Sequence, residues 1–271
     1  MRGRTSCVLT GAGISTDSGI PDYRGPDSPP RTPMTYQQFV GDPAFRRHYW
    51  ARNHLGWRHM DSTRPNLGHR ALASLERNGL VNGVITQNVD LLHTKAGSRR
   101  VLDLHGCYAQ VRCLSCDNAI SRVTLADRLE RKNPDFARSV TAATGVEIAP
   151  DADAVISETE HFVMVDCEIC GGTLKPDIVY FGESVPKWRV EAAYAMVDEA
   201  DSLLVVGTSL TVMSGLRFVR HAAKHGMPIA FVNRGATRGD DLATLTLDAG
   251  TSEVLVEVAA ALDQIGTRSS A

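Results

Sequence analysis

The 271-residue chain lacks what several protein classes require. Six cysteines are too few for a disulfide scaffold, and 29 Lys and Arg against 31 Asp and Glu leave a net charge of −2. A nucleic-acid-binding domain is usually more basic. No apolar run approaches the roughly 18 residues of a membrane-spanning helix, and no apolar segment precedes a cleavage site near the N-terminus. We therefore expect no direct nucleic-acid partner, no membrane partner and a cytoplasmic location.

Short apolar runs bounded by turn residues recur along the chain, as in buried parallel strands. They lie at Ser6–Leu9, Gly83–Ile85, Val101–Leu104, Ile178–Phe181, Ser202–Val206 and Pro228–Val232. Helical segments are predicted at Pro43–His54, Asn66–Asn78, Val190–Glu199, Ser214–Lys224 and from about Thr251 onward. Strands that alternate with helices predict an α/β fold. We expect a Rossmann-type, doubly wound parallel sheet formed by residues 1–106 and 175–271, with a helical excursion at about 26–80. Residues 107–174 break the pattern and are predicted to form an inserted smaller zinc-binding domain.

Two CxxC pairs indicate a metal site within that insert. Cys113 and Cys116 form the first pair, and Cys167 and Cys170 form the second. Each pair can place two thiolates on one tetrahedral ion, and four thiolates leave Zn²⁺ no open position, so the site should be structural. Two independent redox dithiols or buried free thiols are the alternative. Cys7, in the first strand, is expected to be a packed core residue.

Polar and glycine-rich turns follow several of the predicted strands. Gly11-Ala12-Gly13 follows the first strand, Gly207-Thr208-Ser209 a later one, and Asn233 the strand after that. The carboxyl ends of parallel strands share one edge of a sheet, so these turns should converge and could cradle a phosphate-bearing ligand. The third glycine of a dinucleotide fingerprint is absent. Pro26–Pro30 cannot be the second strand of a dehydrogenase. Each turn alone could be an ordinary strand-to-helix connection.

A further polar group could carry out chemistry. Thr86–Asp90 follows the second strand, and His105 follows the third, just before a glycine. Histidine is the side chain best suited to proton exchange near pH 7. A structural histidine and ordinary turn residues are the alternative.

Together these strings resemble the sirtuin family of NAD-dependent protein deacylases. The matching segments are GAGIS at 11–15, SGIPDYRG at 18–25, TQNVD at 86–90, HG at 105–106, the paired CxxC motifs, KPDIVYFGE at 175–183, GTSL at 207–210 and VN at 232–233. They occur in the family's order. The resemblance implies NAD and Zn²⁺ as cofactors, acylated lysine in proteins or peptides as partner, and NAD and acyl-lysine meeting in a cleft between the two domains.

The resemblance also implies roles for individual residues. His105 matches the general base, and Asn88, the second catalytic residue, faces the nicotinamide ribose with Gln87. The further cofactor-binding matches are Gly11, Ala12, Gly13, Asp22, Tyr23, Arg24, Val89, Asp90, Gly207, Thr208, Ser209 and Asn233. Val179, Phe181 and Gly182 match the strip that pairs with the substrate backbone and lines an acyl-lysine tunnel. The family reaction gives nicotinamide, free lysine and O-acyl-ADP-ribose.

Within the family, the chain looks most like the class II branch, which in animals includes the mitochondrial sirtuin 4. The strings YWARN at 49–53, LHTKAGSRRV at 92–101 and ADSLLVVGTSL at 200–210 support this, as does the long segment between the CxxC pairs. That branch is associated with acyl groups other than acetyl. Tyr49 and Arg52 have the YxxR spacing by which the desuccinylating branch holds an acyl carboxylate, a role that suits the arginine fork. A surface helix residue is the alternative for Arg52.

Two other functions use the same cofactor and stay open. One is an ADP-ribosyltransferase, and the other is a non-catalytic NAD or ADP-ribose sensor, which would not need a base such as His105. Only Met1–Thr5 precede the first strand, where family members usually carry a helix. A monomer is compatible with the sequence, which leaves the oligomeric state, the targets and the preferred acyl group open.

Overall fold

The computed structural model describes residues 5–23, 33–141 and 159–268. Their strands are β1 (Ser6–Thr10), β2 (Val81–Thr86), β3 (Val101–Asp103), β4 (Gly106–Cys113), β5 (Ala119–Ser121), β6 (Leu174–Ile178), β7 (Ser202–Val206), β8 (Ile229–Val232) and β9 (Leu245–Leu247). Their α-helices are α1 (Tyr36–Gly41), α2 (Pro43–Ser62), α3 (Leu67–Arg77), α4 (Leu92–Ala96), α5 (Arg122–Lys132), α6 (Phe136–Thr141), α7 (Lys187–Asp198), α8 (Met213–Lys224) and α9 (Thr251–Arg268).

The chain divides into two compact units. The larger unit contains the described residues of Met1–Pro30, Arg64–Leu104 and Val185–Ala271. The smaller unit contains those of Arg31–Thr63 and His105–Ser184. This division differs from the sequence-based boundaries, because α1, α2, residues 105–106 and residues 175–184 belong to the smaller unit. Hydrogen bonds inside that unit give the reason: the buried Arg122 of α5 donates to Asn53 of α2 at 3.0 Å, and His54 bonds Glu130 of α5 at 3.0 Å.

The larger unit is built on a six-stranded sheet in the order β3-β2-β1-β7-β8-β9. All of its strand pairs are parallel, which confirms the predicted Rossmann-type doubly wound sheet. The strand order reverses direction between β1 and β7, and in such sheets ligands bind at that switch point. Two apolar clusters pack around the sheet: Cys7, Leu9, Phe218 and Phe231 belong to one, and α3 and α9 contribute Leu72 and Leu255 to the other. Cys7 is fully buried, as predicted, and burial raises its pKa to about 12.

The smaller unit contains a three-stranded antiparallel sheet in the order β5-β4-β6. The prediction of a buried parallel strand at Ile178–Phe181 is wrong. The strand there is β6, which ends at Ile178 and pairs antiparallel with β4. The apolar, β-branched content is the same in both cases, and the pairing partner decides the orientation. Phe39, Tyr49 and Trp50 form an aromatic cluster, and Tyr180, which follows β6, packs against Phe39 and Tyr49.

One further difference concerns a single element. The sequence analysis did not predict β9, a short strand at the edge of the large sheet. Residues 26–30 and residues 142–158 of the long segment between the CxxC pairs, on which parts of the prediction rested, lie outside the described residues. In the described ranges, no helix combines the length and the apolar character that crossing a bilayer would take.

Candidate active site

Glycine contacts hold two turns together at the carboxyl edge of the large sheet. The Gly11 N–H donates to the Val206 carbonyl at 3.1 Å, and the Gly13 N–H donates to the Gly207 carbonyl at 2.8 Å. A Cβ on Gly11 would lie 2.6 Å from Thr208 Cβ, which no side chain tolerates. The predicted convergence of these turns is therefore confirmed, and glycine is required because the two backbones approach so closely.

A buried hydrogen-bond network joins the turn after β1 to the polar segment after β2. The Asn88 Nδ2 amide donates to the Gly11 carbonyl at 3.0 Å and to the Ser15 hydroxyl at 3.1 Å. Ser15 in turn donates to the Asp90 carboxylate at 2.7 Å, which also accepts from the Leu92 N–H. Burial raises the pKa of Asp90, while the bonds from Ser15 and Leu92 oppose that rise. Sequence reasoning did not identify Ser15 as a member of this site, although it is the last residue of the GAGIS string.

Gln87 joins the segment after β2 to the turn after β7. Its Nε2 amide donates to the Thr208 hydroxyl at 3.0 Å and to the Thr10 carbonyl at 3.2 Å. The Thr208 hydroxyl also accepts from the Leu210 N–H at 3.2 Å. A Cβ on Gly215 would lie 2.7 Å from Gln87 Oε1, so the start of α8 must stay small to admit this side chain.

The other cofactor-binding residues predicted from the resemblance occupy the same edge. Ala12 belongs to the turn after β1, Val89 stands between Asn88 and Asp90, and Ser209 bonds the Thr211 hydroxyl at 2.9 Å. Asn233 follows β8, and its amide donates to the carbonyls of Arg234 and Gly235, each at 2.9 Å. Asp22 and Tyr23 follow the short helical turns after β1 and are half-buried. Arg24 lies outside the described residues.

His105 belongs to the smaller unit, at the point where β4 begins. Its carbonyl accepts a 2.8 Å hydrogen bond from the Val179 N–H, and Gly106 after it has φ of +79°. That left-handed conformation favours glycine. His105 is half-buried.

The predicted substrate strip is partly paired with this chain itself. The Phe181 carbonyl accepts from the Tyr36 N–H at 2.9 Å, and Thr35 forms a parallel bridge with Phe181. Gln37 Nε2 donates to the Gly182 carbonyl at 3.3 Å. Sequence reasoning did not predict this contact, because Thr35 to Gln37 lie far from the strip along the chain and carry no strand pattern.

A buried lysine supports the same strip from within the smaller unit. Lys175 Nζ lies 3.0 Å from a Glu183 carboxylate oxygen and also bonds the Ile178 carbonyl. The same Glu183 oxygen accepts from the Tyr180 N–H at 2.9 Å. A buried ion pair of this kind, with backbone partners on both sides, holds the turn that carries Phe181 and Gly182 in one conformation.

Tyr49 and Arg52 on α2 have different surroundings. Tyr49 is 1% exposed, stacks edge-to-face with Phe39, and its hydroxyl accepts from Asn53 Nδ2 at 3.2 Å. Arg52 is half-buried, and its Nη1 lies 3.1 Å from His48 Nε2. Burial lowers the pKa of His48, and the Arg52 charge lowers it further.

The tautomer of His48 follows from these contacts. A guanidinium can only donate, so His48 Nε2 must accept from Arg52, and the ring proton sits on Nδ1. That proton is donated to the Thr159 hydroxyl, 2.9 Å away. Arg52 therefore donates to a neutral histidine on the preceding turn of α2.

The four cysteines of the CxxC pairs come together in the smaller unit. Their Sγ atoms all lie within 4.8 Å of one another, with 3.5 Å between Cys113 and Cys170 and 3.7 Å between Cys116 and Cys167. A zinc–sulfur distance of about 2.3 Å separates the ligands of a tetrahedral site by about 3.8 Å. Backbone hydrogen bonds from the Cys116 N–H, which has the larger effect, and from the Ser115 N–H lower the pKa of Cys113 to about 6. The donor set and its spacing therefore fit a structural Zn²⁺.

Comparisons with known proteins agree with this geometry. The Sir2 family model matches residues 11–214. A protein of Mycobacterium avium (strain 104) named NAD-dependent protein deacetylase 1 is 66% identical over 98% of this chain and 95% of its own length. A Streptomyces coelicolor protein of the same name is 52% identical over 96% of this chain and 86% of its own length.

Solved structures are similar over nearly the whole chain. A Sir2 homologue variant in complex with ADP-ribose has a TM-score of 0.76 at 29% identity, and the match covers 98% of this chain and 94% of that one. A Sir2 variant with a p53 peptide and NAD has a TM-score of 0.67 at 30% identity, with the same coverage.

Proposed function

The chain belongs to the Sir2, or sirtuin, family of NAD-dependent protein deacetylases, and we propose that it removes acyl groups from protein lysines through the residues described above. The balanced reaction consumes NAD, acyl-lysine and water, and gives nicotinamide, free lysine and O-acyl-ADP-ribose. The observation that carries this proposal is the Asn88–Ser15–Asp90 network beside the glycine turns. A site that binds only phosphate would need the glycine turns. It would not need the buried Asp90 carboxylate, which orients the Asn88 amide through Ser15.

The residues at the sheet edge fit NAD. The glycine turns lie at the switch point of the sheet, where the lack of side chains lets a pyrophosphate approach the backbone closely. When bound, NAD supplies the ribose carbon that accepts the acyl oxygen as nicotinamide departs. Asn88 and Gln87 would orient the ribose, Asp90 with Val89 would receive the carboxamide, and Ser209 and Asn233 would hold the adenosine side. Asp22, Tyr23 and Arg24 would complete the NAD-binding loop.

His105 acts as the general base in this proposal. A ring nitrogen of His105 would take a proton from a hydroxyl of the bound ribose, which would make that oxygen a nucleophile toward the acyl carbon. His105 is half-buried rather than fully buried, which supports this role, since a base must reach its proton. Val179, Phe181 and Gly182 hold the substrate backbone, and the Lys175–Glu183 pair keeps that strip in place. The Zn²⁺ site stabilises the smaller unit and takes no part in the chemistry, because four thiolates occupy all its positions.

The finer part of the proposal concerns the branch and the acyl group. The YWARN string, the LHTKAGSRRV string and the segment between the CxxC pairs support the class II branch. The YxxR spacing of Tyr49 and Arg52, with Arg52 half-buried on α2, supports an acyl group that carries a carboxylate. Acylated proteins or peptides are the proposed partners, and the cytoplasmic location stays a prediction.

The decisive experiment compares wild type with His105→Ala on acetyl-, succinyl- and hydroxymethylglutaryl-lysine peptides with NAD. We expect the variant to bind NAD with unchanged affinity and to lose at least a hundredfold in deacylation. His161→Ala, at an exposed histidine of the same unit, is the control and should retain full activity.

Product analysis by mass spectrometry separates the alternatives. O-acyl-ADP-ribose marks a deacylase, whereas ADP-ribose attached to the acceptor marks a transferase. Nucleotide binding with no nicotinamide release from any peptide would indicate a sensor. Full activity of His105→Ala on acyl-lysine peptides would contradict the mechanism.

A further inference from the structure

A second group of metal-ligating side chains lies in the larger unit, apart from the cysteines. Asp198 is the last residue of α7, and His221 and His225 lie at the end of α8 and just after it. One ligand atom from each lies within 4.8 Å of the other two. The two histidines are four residues apart, so they share one face of the helix, and their ring centroids are 4.3 Å apart. Asp198 Oδ1 lies 2.5 Å from His221 Nε2.

The hydrogen bond of His225 prepares its other ring nitrogen for a metal. His225 Nδ1 lies 2.8 Å from the His221 carbonyl, and a carbonyl can only accept. Nδ1 therefore carries the proton, and in the neutral ring the lone pair is on Nε2. Histidine ligands commonly donate their second N–H to a backbone carbonyl, which fixes the tautomer and the ring orientation.

We propose that Asp198, His221 and His225 bind a Zn²⁺ ion in a site independent of the four cysteines. Two imidazoles and one carboxylate suit zinc, and the exposed position leaves a fourth place for water. Ligand distances of about 2.0–2.1 Å separate tetrahedral ligands by about 3.3 Å. The Asp198 and His221 side chains must therefore move apart by roughly 0.8 Å. Asp198 is 56% exposed, so it can make this movement. The metal then replaces the proton that the pair now shares.

The position of the group indicates what the ion would do. α7 leads into β7 and α8 leads into β8, so the group lies at the amino ends of these strands. The glycine turns lie at the opposite, carboxyl ends. A metal there joins the ends of two neighbouring helices without contacting the groups that bind NAD. We expect it to stabilise the larger unit and to leave the deacylation rate unchanged.

The test uses the full chain with its four-thiolate site loaded, confirmed at one zinc per chain. Isothermal titration with Zn²⁺ should show one further equivalent in the wild type. The double variant His221→Ala/His225→Ala should bind that equivalent at least tenfold more weakly. His161→Ala, at an exposed histidine of the smaller unit, should match the wild type. Mg²⁺ should give no such binding, because it prefers oxygen ligands.

Zn²⁺ above the first equivalent should also raise the thermal midpoint of the wild type but not that of the double variant. Asp198→Asn and His225→Gln are milder variants, which keep the side-chain volumes in case the double variant misfolds. They too should weaken the second equivalent. No further equivalent in the wild type, or equal affinity in the folded variants, would overturn the proposal.

Discussion

The Gly13 N–H donates a 2.8 Å hydrogen bond to the Gly207 carbonyl, and a side chain on either residue would crowd the facing turn. A Cβ on Gly13 would lie 3.0 Å from Gly207 Cα, and a Cβ on Gly207 would lie 2.5 Å from the Ile14 nitrogen. Gly207 also has φ of +60°. The turns after β1 and β7 can therefore meet only as bare backbone, and this contact shapes the edge that we assign to NAD.

We expect Gly207→Ala to lower both stability and NAD affinity. Strain from the left-handed conformation costs about 1–2 kcal/mol, and the clash with backbone atoms adds to it. Gly226→Ala is the matched control, because Gly226 has φ of +67° and no neighbour within 4 Å of its Cβ. It should show the strain alone and bind NAD normally. Thermal unfolding and NAD titration measure the two effects, and equal behaviour of the two variants would contradict the packing argument.

The zinc site has a similar requirement at Gly172. A Cβ there would lie 2.5 Å from Ser115 Oγ and 3.0 Å from Cys113 Sγ. We expect Gly172→Ala to displace one zinc ligand and to reduce the zinc content of the purified protein well below one per chain. Gly171→Ala is the control, since its Cβ would meet nothing within 4 Å despite φ of +69°. The zinc content is measured as the zinc released per chain after the cysteine thiols are chemically modified. One zinc per chain in Gly172→Ala would contradict the prediction, because it would show that the turn can shift to admit the Cβ.

Asp103 makes the stability of the larger unit depend on pH. Burial raises the pKa of Asp103 to about 6, the Asp90 charge raises it further, and Arg189 opposes both. The pKa in the unfolded chain is about 3.9. Between these values the folded state holds a proton that the unfolded state has lost. The contribution of Asp103 to the unfolding free energy therefore falls as pH rises from about 4 to about 6.

Asp103→Asn removes this dependence. Relative to wild type, the variant should gain stability as the pH rises through that range, by at most about 3 kcal/mol. Asp241→Asn, at an exposed carboxylate, should show no such trend. Urea unfolding of all three proteins at pH 4, 5, 6 and 7 measures the differences. A gap between Asp103→Asn and wild type that stays constant with pH would refute the assignment.

Arg52 is the residue on which the proposed acyl preference rests. We expect Arg52→Met to reduce kcat/KM for succinyl- and hydroxymethylglutaryl-lysine peptides by tenfold or more relative to acetyl-lysine, because a charge-assisted hydrogen bond would be lost. Arg58→Met, at an exposed arginine of the same helix, should change no ratio. Equal losses on acidic and acetyl substrates would remove the carboxylate contact from the proposal.

Local sequence signals predicted much of the fold. β-branched runs located β1, β2, β7 and β8 to within one or two residues at most ends, because a buried parallel strand must be apolar throughout. The CxxC spacing identified all four cysteines of the cluster. The run at Ile178–Phe181 was misplaced, because apolar content does not distinguish a strand of the large sheet from one that pairs antiparallel with β4.

The contacts within the candidate site were less predictable. Ser15 stands in a recognised string, but its role depends on Asp90, 75 residues further on. Thr35 and Phe181 pair over 146 positions, and nothing in either segment indicates the partner. The assignment of α1 and α2 to the smaller unit depends likewise on where Arg122 and Glu130 lie in space.

The sequence by itself determined which chemical groups this protein has and where its strands, turns and thiols occur, because spacing and hydrophobicity act over a few residues. Only the tertiary structure decided which groups meet. It placed Gly13 against Gly207 and Asp198 beside His221. Such pairs form when whole strands and helices pack to bury apolar surface, and the distance between two residues along the chain does not determine that packing.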